Sequence, residues 1–188
     1  MLELKDGFML YHGSYCEVRK PNLDKCAKRK DFGQGFYLTS SKEQAESFLK
    51  TSINKALTAG KIENGQGYGY ISAFKFKFSG ELKIHVFENA NVEWLHCIAA
   101  HRKKKEFTEI EHDMEKYDVI AGKIADDATN ATLTAYLGEA FGPVGNKEAD
   151  EFCIKQLLPN KLKDQYCFKT EEALECLEFV RSEKIWLK

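Results

Sequence analysis

The alternation of apolar and polar positions is clearest from Tyr70 to Phe78. Phe74, Phe76 and Phe78 fall on one face and Lys75 and Lys77 on the other, a period of two that predicts a half-buried strand. Ser79-Gly80-Glu81 then predicts a turn, with Leu82, Ile84 and Val86 returning as the second arm of a hairpin and His85 on its solvent side. Elsewhere the period is helical. Ala45, Phe48, Leu49, Ile53, Ala56 and Leu57 form one apolar stripe, opened by a capping box (Ser41 with Gln44, or Ser40 with Glu43) and closed by Gly60 at C′. Val92, Leu95, Ile98 and Ala99 form another, in a helix expected from Asn89 to Lys105. Further helices are expected from Ala128 to Phe141 and along Ala149, Phe152, Cys153 and Leu157, the latter closed by Pro159. Thr170 caps a last helix carrying Ala173, Leu174 and Leu177, and Ile185-Trp186-Leu187 reads as a final strand or tail.

Four short apolar runs predict further strands. Phe8 to Tyr11 is left through His12-Gly13-Ser14, and Phe36-Tyr37-Leu38 follows a loop holding Gly33 and Gly35. Tyr117 to Ala125 is β-branched enough for a central strand and ends in Asp126-Asp127; Asp164 to Thr170 is entered through Asp-Gln. Strands and helices in this order predict one α+β domain over residues 1–188. Tyr15 to Lys30, with Pro21 and Asn22, is expected to be loop with at most one helical turn. The glycine-rich stretch Asn64 to Gly69 precedes a strand instead of linking strand to helix, so it reads as a flexible loop and not as a dinucleotide fingerprint.

Composition narrows the partners. Lys and Arg number 28 against 29 Asp and Glu, a net charge of −1. This argues against a strongly basic nucleic-acid binder, though a nucleic-acid acceptor stays open. The six cysteines include no Cys-x-x-Cys pair, as expected of reduced thiols in the cytoplasm. Charges at Glu3, Lys5 and Asp6 leave no visible signal peptide, and no apolar run approaches the ~20 residues of a membrane span. His96 and His101, five apart, suit one helical face poorly, so no metal is expected. Lys28-Arg29-Lys30 is a solvated face or a phosphate attractor. Arg102 is a surface ion pair or a fork for pyrophosphate or carboxylate. One of Asp126 and Asp127 fits an N-cap, which leaves the other open to a catalytic role.

The strand runs place one polar residue each, His12, Tyr37 and Gln165, in three distant parts of the chain. Together with Tyr-His-Gly-Ser, Gly-Phe-Tyr-Leu-Thr and Tyr-Asp-Val-Ile-Ala-Gly-Lys-Ile-Ala-Asp-Asp, they resemble the ADP-ribosyltransferase superfamily. The similar branch is that of diphtheria toxin and the poly-ADP-ribose polymerases, whose motif is His-Tyr-Glu; a small bacterial group is the nearest in pattern. The resemblance covers nearly the whole chain. It implies a split β-sandwich with flanking helices, NAD as co-substrate, and mono-ADP-ribosyl transfer to a protein or nucleic acid with release of nicotinamide. It implies that His12 bonds the adenine-side ribose, that the Gly13 backbone grips the nicotinamide amide with Ser14 adding a polar contact, and that Tyr37 stacks on the nicotinamide. Gly33 and Gly35 would admit the dinucleotide close to the backbone, and loops around Tyr15–Lys30 and Gly142–Asn146 would choose the acceptor. Relatives of this kind are toxins of toxin–antitoxin or phage-conflict systems, so an inhibitory partner protein is implied as well.

Position 165 departs from the motif. A glutamine still accepts a hydrogen bond but supplies no charge, so three outcomes are open. The enzyme transfers one ADP-ribose to a nucleophilic acceptor; or Asp126 or Asp127 replaces the carboxylate; or the domain binds NAD without turning it over. An NAD glycohydrolase and a purely structural domain are the remaining alternatives.

Overall fold

A computed structural model describes residues 4–78, 80–103, 107–124, 127–157 and 162–187, with the backbone alone at 127 and 128. Among these residues the strands form two sheets in a mixed α+β fold. The first holds β1 (Met9–Ser14), β3 (Tyr68–Phe76) and β7 (Leu177–Trp186), in the order β1-β3-β7 and antiparallel throughout. The second holds β2 (Phe36–Leu38), β4 (Ile84–Val86), β5 (Val119–Lys123) and β6 (Asp164–Phe168), in the order β2-β6-β5-β4.

The sheets face each other across an apolar core. Leu10, Phe74 and Phe76 of the first sheet meet Phe36, Leu38, Val119, Ala121, Tyr166 and Phe168 of the second. Alternation along each strand then turns the neighbouring residues to the opposite face. Ile120 and Cys167 pack against α3 (Val92–Arg102), α5 (Asp127–Leu137) and α6 (Lys147–Leu157). Ile71 and Tyr11 pack against α1 (Lys42–Ser47) and α2 (Leu49–Thr58). α4 (Thr108–Met114) lies on α3, and α7 (Glu171–Glu175) leads directly into β7.

Local signals for capping hold. Ser41 accepts from the Gln44 amide and Thr170 from that of Ala173. Gly60, at φ +64°, follows the last turn of α2, where a side chain would be strained. The loop after Ser14 contains a single 3-10 turn at Leu23–Lys25. No described helix is long and apolar enough to cross a membrane.

Several sequence expectations are corrected. β4 is not the return arm of a hairpin with β3. Both edges of β3 are taken, by β1 and β7, and β4 runs parallel to β5 in the other sheet. His85 accordingly lies between Phe87 and Tyr117, ring centroids 4.4 and 4.8 Å away, with Nε2 buried and unpaired. Phe78 falls beyond the end of β3 and is half exposed. The helix after Ser41 breaks at Phe48 into α1 and α2. α3 is shorter than expected, capped by Asn91, and buried almost all round from Trp94 to His101, whereas Val92 is exposed. β1 continues through His12 to Ser14. Leu177 begins a ten-residue strand instead of ending a helix. Asp126 and Pro159 lie outside the described residues, as does the side chain of Asp127.

Gly13 lies at the tightest helix–sheet approach. A Cβ there would overlap the carbonyl oxygen of Ala45 in α1, and backbone cannot yield as a flexible side chain would. Gly13→Ala should therefore destabilise the fold by about 3 kcal/mol, the upper end of overpacking costs, read as a lowered urea midpoint with unchanged slope.

Candidate functional site

The site forms where the two sheets part. Tyr11 and Thr39 exchange a pair of backbone hydrogen bonds, N–H to carbonyl at 2.8 and 3.0 Å, which joins β1 to the end of β2. A continuing antiparallel ladder would next pair Gly13 with Tyr37. It does not, because the His12 ring donates from Nδ1 to the Tyr37 carbonyl at 2.8 Å. The sheets separate there. Tyr11 already turns its backbone groups away from β3, so two residues on, Gly13 presents its N–H and carbonyl on the same edge. That edge lines a cleft of about 950 Å³.

His12, Tyr37 and Gln165 all line this cleft, from β1, β2 and β6 respectively. Gly13, Ser14 and Gly35 line it too; Gly33 does not. The last two glycines have structural reasons of their own. Gly33, at φ +83°, packs so close to His101 that a Cβ would stand 2.7 Å from its ring. A Cβ on Gly35 would overlap Cys167 Sγ on β6. The loop from Tyr15 to Lys30 forms much of the wall, whereas residues 142–146 do not reach it.

Each polar group has a defined state. A carbonyl only accepts, so His12 Nδ1 carries a proton and Nε2 of the neutral ring is an acceptor. Burial lowers the His12 pKa, outweighing the hydrogen bond to Tyr37, and nearby Lys30 lowers it further. The Tyr37 hydroxyl donates to the Gly33 carbonyl and accepts from the Phe32 N–H, both at 2.9 Å. Burial, reinforced by Cys167 and Asp31, holds that phenol protonated well above its ordinary value. Tyr37 is thus a fixed aromatic plane and not a base.

Gln165 is buried, and its partners are the main finding of the site. Its Nε2 donates to Asp31 Oδ2 at 2.8 Å and to the Lys123 carbonyl at 3.1 Å. Asp31 in turn receives Arg102, whose Nε and Nη2 reach Oδ1 at 3.0 and 2.5 Å. Arg102 Nη1 also donates to Asn130 Oδ1 at 3.1 Å. Arg102 is therefore a carboxylate fork in the cleft wall and not a surface ion pair. The carboxylate beside position 165 is Asp31, a role that sequence gave it no claim to: it stands alone after Lys28-Arg29-Lys30, 134 positions from its amide partner. The fork chemistry of Arg102 was the one available pointer.

The cleft is cationic although the chain is not. Seven Lys and Arg side chains line it against three carboxylates. Lys30 and Lys55 both stand over the Phe48 ring, 5.6 and 5.7 Å from its centroid, at the break between α1 and α2. Lys30 of the basic triplet thus belongs to the cleft wall. Among the described residues, no three His, Cys, Asp or Glu side chains gather to hold a metal ion. All six cysteines are free of disulfides.

A family of proteins of unknown function, DUF3990, matches residues 8–179. The chain belongs to the DUF3990 family. The matched region includes His12, Asp31, Tyr37, Arg102 and Gln165, and so the whole polar wall of the cleft. No curated protein matches the chain.

Burial also lowers the pKa of His85 and His101, as it does that of His12. Below about pH 6.5, the unfolded chain binds protons that the folded DUF3990 domain resists, so stability rises with pH there. Unfolding free energy should be at its full value above the unfolded histidine pKa and fall as pH drops through it. Urea midpoints from pH 7.5 to 5.5 measure this, and His12→Asn should make the decline shallower.

Proposed function

We propose that this protein transfers ADP-ribose from NAD to a macromolecule with release of nicotinamide, on an ADP-ribosyltransferase-like split sandwich. The observation that carries this is the convergence of His12, Tyr37 and Gln165, from three strands of two sheets, on one cation-rich cleft. Its volume lies within the usual range of ligand pockets, about 300–1,000 Å³. Its charge suits a pyrophosphate.

The chain's own groups divide the work. Neutral His12 offers Nε2 to a ribose hydroxyl. The Gly13 N–H and carbonyl, released from the ladder, match the acceptor and donor of a carboxamide. Tyr37, fixed by its hydroxyl, supplies a plane for the nicotinamide ring. In the reaction the C1′–N bond breaks and its electron pair leaves on nicotinamide, whose ring becomes neutral. Positive charge passes to the ribose, as in glycoside cleavage. The acceptor's nucleophilic atom then bonds to C1′ and gives up its proton. Gln165 Oε1 is an acceptor for a hydroxyl of that ribose.

One observation favours a second reading, NAD binding without turnover: the amide at position 165 carries no formal charge. Incubation with adenine-labelled NAD, cell lysate and nucleic acid separates the two, with nicotinamide and macromolecular label followed together. Label should appear with wild type and fall about 100-fold or more with Tyr37→Ala; Tyr37→Phe, which keeps the ring but loses the bonds to Gly33 and Phe32 that fix it, should fall in between. Bound NAD with neither nicotinamide nor label would favour the binding module. Free ADP-ribose without label would indicate hydrolysis.

A further inference from the structure

We propose that Asp31, acting through the Gln165 amide, supplies the negative electrostatics that position 165 lacks in its own side chain. The inference rests on the transferase reading above and names how its ribose cation is stabilised. Both hydrogens of Gln165 Nε2 are committed, one to Asp31 Oδ2 and one to the Lys123 carbonyl. Carboxylate and carbonyl oxygens only accept, so the amide cannot flip without losing both bonds. Its acceptor end, Oε1, is therefore held on the other side, and no described residue donates to it. Gln165 lines the cleft, so Oε1 is left for a ligand hydroxyl.

The two oxygens of Asp31 are used asymmetrically. Arg102 takes Oδ1 with two nitrogens, and Gln165 takes Oδ2. Among these contacts the cation sits on one oxygen of the carboxylate and the amide on the other. Donation from an amide to a carboxylate draws electron density toward the amide oxygen, and such chains strengthen one another where water is excluded. Asp31 is a positioning residue: it acts through the Gln165 amide that it holds. No proton passes to it. When the C1′–N bond breaks and its electron pair leaves with nicotinamide, the polarised Oε1 bonds the hydroxyl of the ribose that becomes cationic. Stabilisation that grows only as charge develops acts on the rate more than on binding.

A charge exchange between positions 31 and 165 tests this. Nicotinamide release and NAD binding are measured for wild type, Asp31→Asn, Gln165→Glu and the double variant, each checked for folding by thermal melting. Asp31→Asn should lower kcat about 10- to 100-fold, the size of effects transmitted through one intervening group, with KM little changed. Gln165→Glu sets two carboxylates in contact, so one must hold a proton. Its rate should rise as pH rises through the raised pKa of the pair and the ribose-facing carboxylate ionises, a limb absent from wild type. The double variant returns one amide and one carboxylate, and should recover rate and lose that limb. Asp31→Asn turning over at the wild-type rate would overturn the inference alone. So would a folded double variant slower than wild type by about that same 10- to 100-fold, and this comparison with wild type decides the matter if Asp31→Asn itself does not fold. A wild type that neither binds NAD nor releases nicotinamide would overturn the transferase reading and this inference with it.

Discussion

The geometry of the cleft depends on where one antiparallel ladder stops. Tyr11 and Thr39 exchange two backbone hydrogen bonds, and the next carbonyl in line, that of Tyr37, is taken by an imidazole. Had Gly13 N–H taken it, β1 and β2 would run on as one sheet and the cleft would be filled by backbone pairing. The substitution works because His12 alternates onto the face of Leu10 and lies tilted against Phe36, ring centroids 4.4 Å apart. Its ring is thus already held against the strand it bonds. One side chain both ends the ladder and becomes part of the wall. Burial keeps it neutral, which leaves Nε2 as an acceptor.

Register brings the other two residues to the same wall. Tyr37 lies opposite Cys167, and Gln165 is two residues along β6, so all three share one face of the second sheet. Gly122 of β5 lies opposite Gln165, and a Cβ there would press on Phe32, Phe87 and Trp94. The absence of that Cβ lets the Asp31–Phe32 segment sit down on the sheet, which is what brings the Asp31 carboxylate to the Gln165 amide. Arg102, from the last turn of α3, then neutralises a carboxylate that would be costly to bury alone. Removing either partner would leave the other's charge in the wall, so this pair is a condition of the fold.

Features set by neighbours in sequence were legible; those set by distant strands were not. The caps at Ser41 and Thr170, Gly60 after α2, and the strands bearing Tyr37 and Gln165 follow from spacing and local chemistry. β4 was misplaced because alternation reveals a strand but not its partner; both edges of β3 are filled by segments some 60 positions before it and 110 after it. α3 hides its face in the same way, since a helix buried all round has no polar side from which to infer direction. Asp31 was silent for a related reason. A carboxylate is informative in sequence when its counter-charge lies a turn away; here the partners come from α3 and β6.

The glycines of the site mark the boundary between fold and chemistry. Those at positions 13, 35 and 122 would each drive a Cβ into a neighbouring backbone or ring, and Gly33 combines a positive φ with contact to His101. Their side-chain-free backbone is fully accounted for by packing, so a glycine loop beside a cleft is not by itself a sign of a nucleotide. What packing leaves over is smaller and more specific. It comprises the Nε2 lone pair of His12, the free edge of Gly13, the plane of Tyr37, and the outward oxygen of an amide that two acceptors hold from behind. An apolar core has no need of these groups, and burying them unpaired would be unfavourable. Their convergence on one cleft is therefore the part of the structure that stability does not explain.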